Sequence, residues 1–254
     1  MTRKSYAKVN IFLKIAGRRN SYHELVSRFV RVHSLYDEIS FRKCKCDDFT
    51  LTGDFGCDIK KNTIYKAYTL LKEISPTVEE YFKNNSVNVE KNIPEFAGLG
   101  GGSSNCATFM IMVNKVCSLN LSKGNLAQIG LSIGADVPFF IYEYDSANVT
   151  GIGEIVDKFD EDILDIDTIT PSIECNTGQI FSKFRESFYS EISDEDKSRL
   201  LSLKSKEILA LLDVKEANDL YEPAIDIYPK LKEYNKTDWY FSGSGSSFFK
   251  VNNE

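Results

Sequence analysis

Residues 7 to 15 alternate: Ala7, Val9, Ile11, Leu13 and Ile15 fall on one face, Lys8, Asn10 and Lys14 on the other, which is the period of a half-buried strand. Lys8 and Asn10 therefore share a face. Further strands are predicted over 28 to 34, 37 to 43 and 86 to 91, and a helix through Ile64, Ala67, Tyr68 and Leu71 with Asn62 or Thr63 as its cap. Cys106, Phe109, Met110, Val113, Val116 and Cys117 recur at helical spacing, so a buried amphipathic helix is predicted to begin near 103 to 105. A second helix is expected from Ser122 to Gly134, a natural C′ residue, which leaves Asp136 of Gly134-Ala135-Asp136-Val137-Pro138 at an element junction. The remainder reads as strands within 148 to 175, helices over 178 to 189 and 196 to 212, and two strands round the glycine turn of 238 to 251. The acidic stretch 159 to 167 is the expected domain seam, or else a solvated loop.

Composition narrows the class without naming a chemistry. A chain of 254 residues with 42% hydrophobic and 27% charged content buries a core as one large domain or two packed ones. The net charge of −6 argues against a broad nucleic-acid footprint. No apolar run approaches the ~18 residues of a membrane span and the N-terminus has no leader pattern, so a cytoplasmic chain without a membrane partner is expected. The six cysteines form no CxxC pair and are expected to be thiols, and Cys44, Cys46 and Cys57 with His33 match no usual zinc spacing. A monomer or weak homodimer is expected.

The densest chemical signal is 94-PEFAGLGGGSSNCATFM-110. Glycines permit positive φ and let backbone amides approach a ligand, and a helix that starts directly afterwards adds the positive end of its dipole. This is the composition of an anion cradle. Ser103 and Ser104 add hydroxyls for phosphate oxygens or for a magnesium ion carried with a nucleotide. The stretch lacks GxxxxGK[ST] and only imperfectly imitates GxGxxG, so neither a Walker loop nor a dinucleotide fingerprint accounts for it.

Three separated stretches, SYAKVNIFLKI, PEFAGLGGGSSNCAT and WYFSGSGSSFF, resemble in order and spacing the three motifs of the galactokinase, homoserine, mevalonate and phosphomevalonate (GHMP) kinase superfamily. Within it, Ala7-Lys8-Val9-Asn10, the pair Tyr22-His23 after a basic turn, and Gly134 to Pro138 most resemble the 4-diphosphocytidyl-2-C-methyl-D-erythritol kinase family. The resemblance runs over most of the chain and is weakest at 40 to 60 and 185 to 236.

That resemblance implies an α+β two-domain fold. A ribosomal-protein-S5-domain-2-like α/β domain over 1 to 155 would bind ATP, and a ferredoxin-like domain over 156 to 254 would bind substrate, with the site in the cleft between them. It implies ATP as co-substrate with its Mg²⁺, and a small cytidine-diphosphate-linked methylerythritol as acceptor. Asp136 matches the catalytic base, and Lys8 the lysine beside it. Asn62 and Pro94-Glu95-Phe96-Ala97-Gly98-Leu99-Gly100-Gly101-Gly102-Ser103-Ser104 match the ATP site, although Glu95 and Phe96 stand where small residues are usual. Asn10, Tyr22, His23, Thr177, Phe181 and the turn Gly243-Ser244-Gly245 match the substrate side, with Tyr22 and His23 suited to stack on and hydrogen-bond a cytosine.

Each residue also has a plainer reading. Asp136 suits a helix cap, Lys8 a solvated strand charge, Phe181 a core stripe with Ile180, Phe184 and Phe188, and Ser242 to Ser247 an ordinary hairpin turn. A homoserine- or mevalonate-type kinase, or a non-catalytic nucleotide and sugar sensor, would share the glycine loop.

Overall fold

The computed structural model describes residues 1–19 and 22–252, with the Tyr22 side chain outside the described set. In chain order the elements are β1 (Thr2–Arg19), β2 (Tyr22–Lys43), β3 (Leu51–Thr52), α1 (Thr63–Ile74), α2 (Pro76–Phe82), β4 (Asn85–Glu90), α3 (Gly101–Val116), α4 (Lys123–Leu131), α5 (Val137–Tyr142), β5 (Ser146–Gly151), β6 (Ile155–Lys158), β7 (Ile166–Ile169), α6 (Thr177–Lys183), α7 (Asp194–Ser202), α8 (Ser205–Leu211), α9 (Val214–Ala217), α10 (Tyr221–Ile227), β8 (Tyr240–Phe241) and β9 (Phe248–Val251). Strands and helices mix, with two sheets, as an α+β chain requires. No helix among the described residues is long and apolar enough to cross a membrane.

Two compact units share this chain. One is Met1–Ala7, Leu35–Glu95 and Gly100–Glu143; the other is Lys8–Ser34, Phe96–Leu99 and Tyr144–Glu254. In the first, the end of β2 pairs antiparallel with β4, Phe41 opposite Val87, and β3 lies parallel to β4. Helices α1 to α5 belong to the same unit, and its core is aromatic. Phe49 stacks on Tyr68 with ring centroids 4.0 Å apart, and Phe82 and Phe109 close the cluster.

In the second unit the start of β2 pairs with β5, and β5 with β6. A three-stranded sheet carries β9 between β7 and β8. Leu13, Ile15, Ile180, Phe184, Leu220, Tyr221, Phe241 and Phe248 are its buried core.

Several elements differ from what periodicity predicts. Strands expected at 28 to 34 and 37 to 43 are one strand, because nothing in Ser34-Leu35-Tyr36 breaks an extended chain. Residues Ala7 to Leu13 of β1 are buried on both faces rather than one. The helix expected over 196 to 212 is two: Ser193 caps α7, and α8 has its own start, where Glu207 accepts the Lys204 N–H at 2.7 Å. Cys44 and Cys46 are disulfide-bonded with Cα atoms 5.8 Å apart, within the usual span, in place of the thiols that the spacing predicts.

The acidic stretch is not simply solvated. Glu161 accepts from Ser146 Oγ, Ser205 N and Ser205 Oγ at 2.6, 2.8 and 2.7 Å. It also lies 3.7 Å from the fully buried Arg28, whose guanidinium covers the Phe159 ring. Burial draws the Arg28 pKa down to about 10 while Glu161 pulls it back up.

Candidate active site

In the second unit the alternation of β1 places Lys8 beside Asn10, and both are buried. Lys8 Nζ donates to Asn10 Oδ1 at 2.7 Å, and Asn10 Nδ2 donates to Ser27 Oγ at 3.0 Å, which fixes the amide and with it the ammonium. The Lys8 ammonium also stands 4.4 Å from the Phe29 ring centre. A solvated strand charge would show none of this.

The same unit brings the three motifs together. Lys8 N–H donates to the Leu99 carbonyl at 3.0 Å, and Ser247 N–H to the Ala97 carbonyl at 3.1 Å. Ser242 Oγ donates to the Gly98 carbonyl at 3.0 Å. Asn218 Nδ2 donates to the Phe241 and Gly243 carbonyls, both at 2.9 Å, and so shapes the turn from behind. Thr177, the first residue of α6, shares a hydrogen bond with Ser244 at 2.7 Å. Gly243 and Gly245 hold positive φ of 58° and 86°, as the turn demands.

Around His23 the walls are aromatic. Its ring stacks on Phe181 with centroids 5.3 Å apart and 21° between planes, meets Phe184 edge-on, and lies 6.4 Å from Tyr189, whose ring also carries Arg18. His23 is 9% exposed, and its Nε2 is buried with no hydrogen-bond partner among the described residues. Phe181 is partly buried against the core, as its core-stripe reading expects, and its ring stacks on His23.

The first unit holds the remaining loop residues and Asp136. Asn62 caps α1, its Oδ1 accepting from Ile64 N–H at 2.9 Å. Glu95 accepts from Gly56 N–H at 2.6 Å, which turns the unexpected carboxylate toward that backbone. Pro94 precedes it, half-buried. At Phe96, in the second unit, the chain takes φ 52° with the ring 58% exposed.

Helix α3 begins at Gly101, earlier than periodicity predicts, because Gly100 at φ 70° sets the entry and no side chain caps it. Its first internal bond runs from Ser104 N–H to the Gly100 carbonyl at 2.9 Å, so the N–H groups of Gly101, Gly102 and Ser103 lie ahead of the helical ladder. Ser104 is buried and accepts from Ser5 Oγ at 2.8 Å. Ser103 Oγ stands 3.4 Å from where a Cβ on Gly134 would lie. Asp136 precedes α5, but its side chain makes no capping bond.

A family model described as GHMP kinases N terminal domain matches residues 62–144. The 4-diphosphocytidyl-2-C-methyl-D-erythritol kinase of Sulfurimonas denitrificans is 53% identical, the alignment covering 98% of this chain and 96% of that one. The enzyme of that name from a Sulfurovum species is 46% identical over 97% of each. The chain belongs to the 4-diphosphocytidyl-2-C-methyl-D-erythritol kinase family. A crystal structure of 4-(cytidine 5'-diphospho)-2C-methyl-D-erythritol kinase superposes with a TM-score of 0.77 at 26% identity, over 100% of this chain and 90% of that one.

Within this kinase family the motifs point to most of the gathered residues but not to Arg18 or Tyr189. Tyr189 reaches His23 only through tertiary packing, so no local pattern signals it. Arg18 matters at His23 in another way. Burial first, then the positive charges of Arg185 and Arg18, lower the His23 pKa from 6.5.

A histidine held neutral in the fold contributes stability that is complete above its unfolded pKa and is lost as pH falls through the lowered value. Melting temperature followed from about pH 7.5 to about pH 5 should therefore fall more steeply for the wild type than for His23→Gln. Parallel curves would refute the assignment.

Proposed function

We propose that the chain transfers the γ-phosphoryl group of ATP to the 2-hydroxyl of 4-diphosphocytidyl-2-C-methyl-D-erythritol, in the methylerythritol phosphate route to isopentenyl diphosphate. The observation that carries this reading is the His23–Phe181 stack, with an unpartnered ring nitrogen, in the unit that also gathers Lys8, the glycine-loop carbonyls and the third-motif turn. A cytosine wants a ring face and a hydrogen-bonding edge; homoserine and mevalonate want neither. Relatives at 53% and 46% identity with this activity in their names support the same conclusion.

Phosphoryl transfer needs an oriented hydroxyl, an acceptor for its proton and positive charge facing the transferred group. Asp136 takes the proton of the 2-hydroxyl. Lys8, with its ammonium fixed by Asn10, meets the charge developing on the phosphoryl oxygens. The amides at the start of α3 and in the turn Gly243-Ser244-Gly245 receive phosphates, Thr177 the substrate's diphosphate, and Tyr22, His23 and Phe181 the cytosine. Asn62 and Pro94 to Leu99 line the nucleotide. Residues 1 to 155 form the nucleotide-binding, ribosomal-protein-S5-domain-2-like part, and 156 to 254 the ferredoxin-like substrate part.

ATP brings Mg²⁺, which neutralises phosphate charge when bound. Among the described residues no group of three or more His, Cys, Asp or Glu is placed to hold a metal, so the residues fit an ion carried mainly by phosphates and water. Ser104 is engaged by Ser5, which leaves Ser103 as the hydroxyl to reach that ion.

A coupled assay offering ATP with the cytidylyl alcohol, homoserine and mevalonate in turn tests the reading. Turnover of the cytidylyl alcohol alone is expected. Turnover of only a non-cytidylyl alcohol would overturn the specificity.

A further inference from the structure

Asp37 lies in β2 and is fully buried. Its Oδ1 accepts from the backbone N–H groups of Asn92 and Ile93 at 2.7 and 2.8 Å. Its Oδ2 accepts from Asn105 Nδ2 at 2.8 Å and from the Lys91 ammonium. Lys91 also donates to Asn105 Oδ1 at 3.2 Å, and Asn105 Nδ2 donates to Ser5 Oγ at 3.0 Å, whose hydroxyl continues to Ser104.

Two features set this carboxylate apart from an ordinary buried charge. All four donors come from the arms of the glycine loop: Lys91, Asn92 and Ile93 lead into it, and Asn105 is near the start of the helix that leaves it. The Lys91 ammonium, moreover, stands 3.7 Å from where a Cβ on Gly101 would lie, beside the first residue of α3. One side chain thus closes the base of the loop and holds a cation against its helix end.

We propose that Asp37 is the positioning residue of the phosphate loop. Its carboxylate ties the segment after β4 to the departing helix, so that the amides at the start of α3 are held in the spacing a triphosphate needs. Charge-assisted bonds in a buried site are strong and leave little slack, whereas a loop of glycines has no stiffness of its own. The inference rests on the nucleotide reading of that loop.

Asp37→Asn is the direct test. It keeps the acceptor for Asn92 and Ile93 but turns an amide donor toward the Asn105 amide and the Lys91 ammonium, leaving buried donors unpaired. The reciprocal Asp37→Asn/Asn105→Asp variant restores these bonds except that of Lys91 to position 37. The amide introduced at position 37 donates to the carboxylate introduced at position 105, the Lys91 ammonium pairs with that carboxylate, and the Ser5 hydroxyl turns to donate to it while Ser104 Oγ donates to Ser5.

Equilibrium binding of ADP and steady-state kinetics on the full-length chain separate the outcomes. Asp37→Asn is expected to weaken ADP binding and raise the KM for ATP by about tenfold or more, the scale of a lost buried charge-assisted bond. The KM for the alcohol should stay within about twofold, since none of the four donors belongs to the substrate residues, and the reciprocal variant should regain most of the loss. If Asp37→Asn does not fold, Asn105→Ala, which removes the helix-side arm together with its bonds to Lys91 and Ser5, takes its place with the same expected direction.

Unchanged ADP affinity in a folded variant overturns the proposal, as does equal loss of ATP and alcohol affinity. A wild type that binds ADP but turns over no alcohol instead faults the reaction assigned above, and the Asp37 comparison then stands on binding alone. A wild type that binds no ADP overturns both.

Discussion

Asp136→Asn is expected to lower kcat by about 10² to 10⁴, the usual worth of a general base, while ADP binding and melting temperature stay close to wild type. Packing of the helix that follows holds the backbone at this junction. Helix α5 follows at once, with Val137, Phe139, Phe140 and Ile141 buried. Gly130 of α4 approaches Val137 so closely that a Cβ there would lie 2.5 Å from its Cγ1. The carboxylate does not cap α5, so the plainest structural role for this aspartate is set aside and an isosteric amide should leave the helix in place. A non-catalytic nucleotide and sugar sensor built on the same fold would keep its function in this variant. Turnover equal to wild type, measured with the cytidylyl alcohol, would remove Asp136 from the mechanism.

The residues legible in the chain are those whose chemistry follows a local period or a local composition. The alternation of β1 puts Lys8 and Asn10 on one face, and they hydrogen-bond to each other; it does not show that this face is buried, because burial depends on what packs over it. The glycine run announces an anion cradle, but the helix starts at Gly101 rather than 103 to 105, since the left-handed Gly100 is a backbone event that hydrophobic spacing does not record. The break between α7 and α8 is hidden for a related reason. Lys204 and Glu207 suit a helix interior as well as a helix start, and only the Glu207 bond to the Lys204 N–H decides.

Asp37 is the hardest case. A lone aspartate in Tyr36-Asp37-Glu38-Ile39 looks like a solvated strand position, and its four donors come from residues 91 to 105. Tertiary pairing of β2 with β4 brings them within reach, and no pattern around residue 37 carries that information. The departure at Glu95 and Phe96 has an analogous answer in part. Glu95 finds the Gly56 amide, while Phe96 occupies a left-handed conformation that glycine would adopt more readily.

Gly98→Ala and Gly102→Ala should have opposite effects on stability, although both lie in one glycine run. At Gly98 the backbone has φ +73°, and an added Cβ would lie 2.1 Å from the Ser242 carbonyl oxygen and 3.2 Å from the Gly245 nitrogen. No side-chain rotation relieves a clash with backbone, so the loop and the third-motif turn must separate. That would break the Ser242–Gly98 and Ser247–Ala97 hydrogen bonds. Left-handed strain and overpacking together should cost about 2 to 5 kcal/mol, lowering the melting temperature by roughly 5 to 15 °C for a chain of this size. Activity should fall with it, because the turn Gly243-Ser244-Gly245 is displaced. At Gly102 a Cβ meets nothing nearer than Thr63 Oγ1 at 3.8 Å, and the residue is in the first turn of α3. Alanine there should stabilise the helix by up to about 1 kcal/mol, yet raise the KM for ATP if the proposed phosphate site is right, because its methyl would enter the space that site needs against the helix amides. Stability gained with nucleotide affinity lost is the signature of a residue kept as glycine for a ligand rather than for the fold. Thermal melts with ADP titration of both variants read it directly, and a Gly102→Ala enzyme with unchanged ATP affinity would move the phosphates away from this helix end.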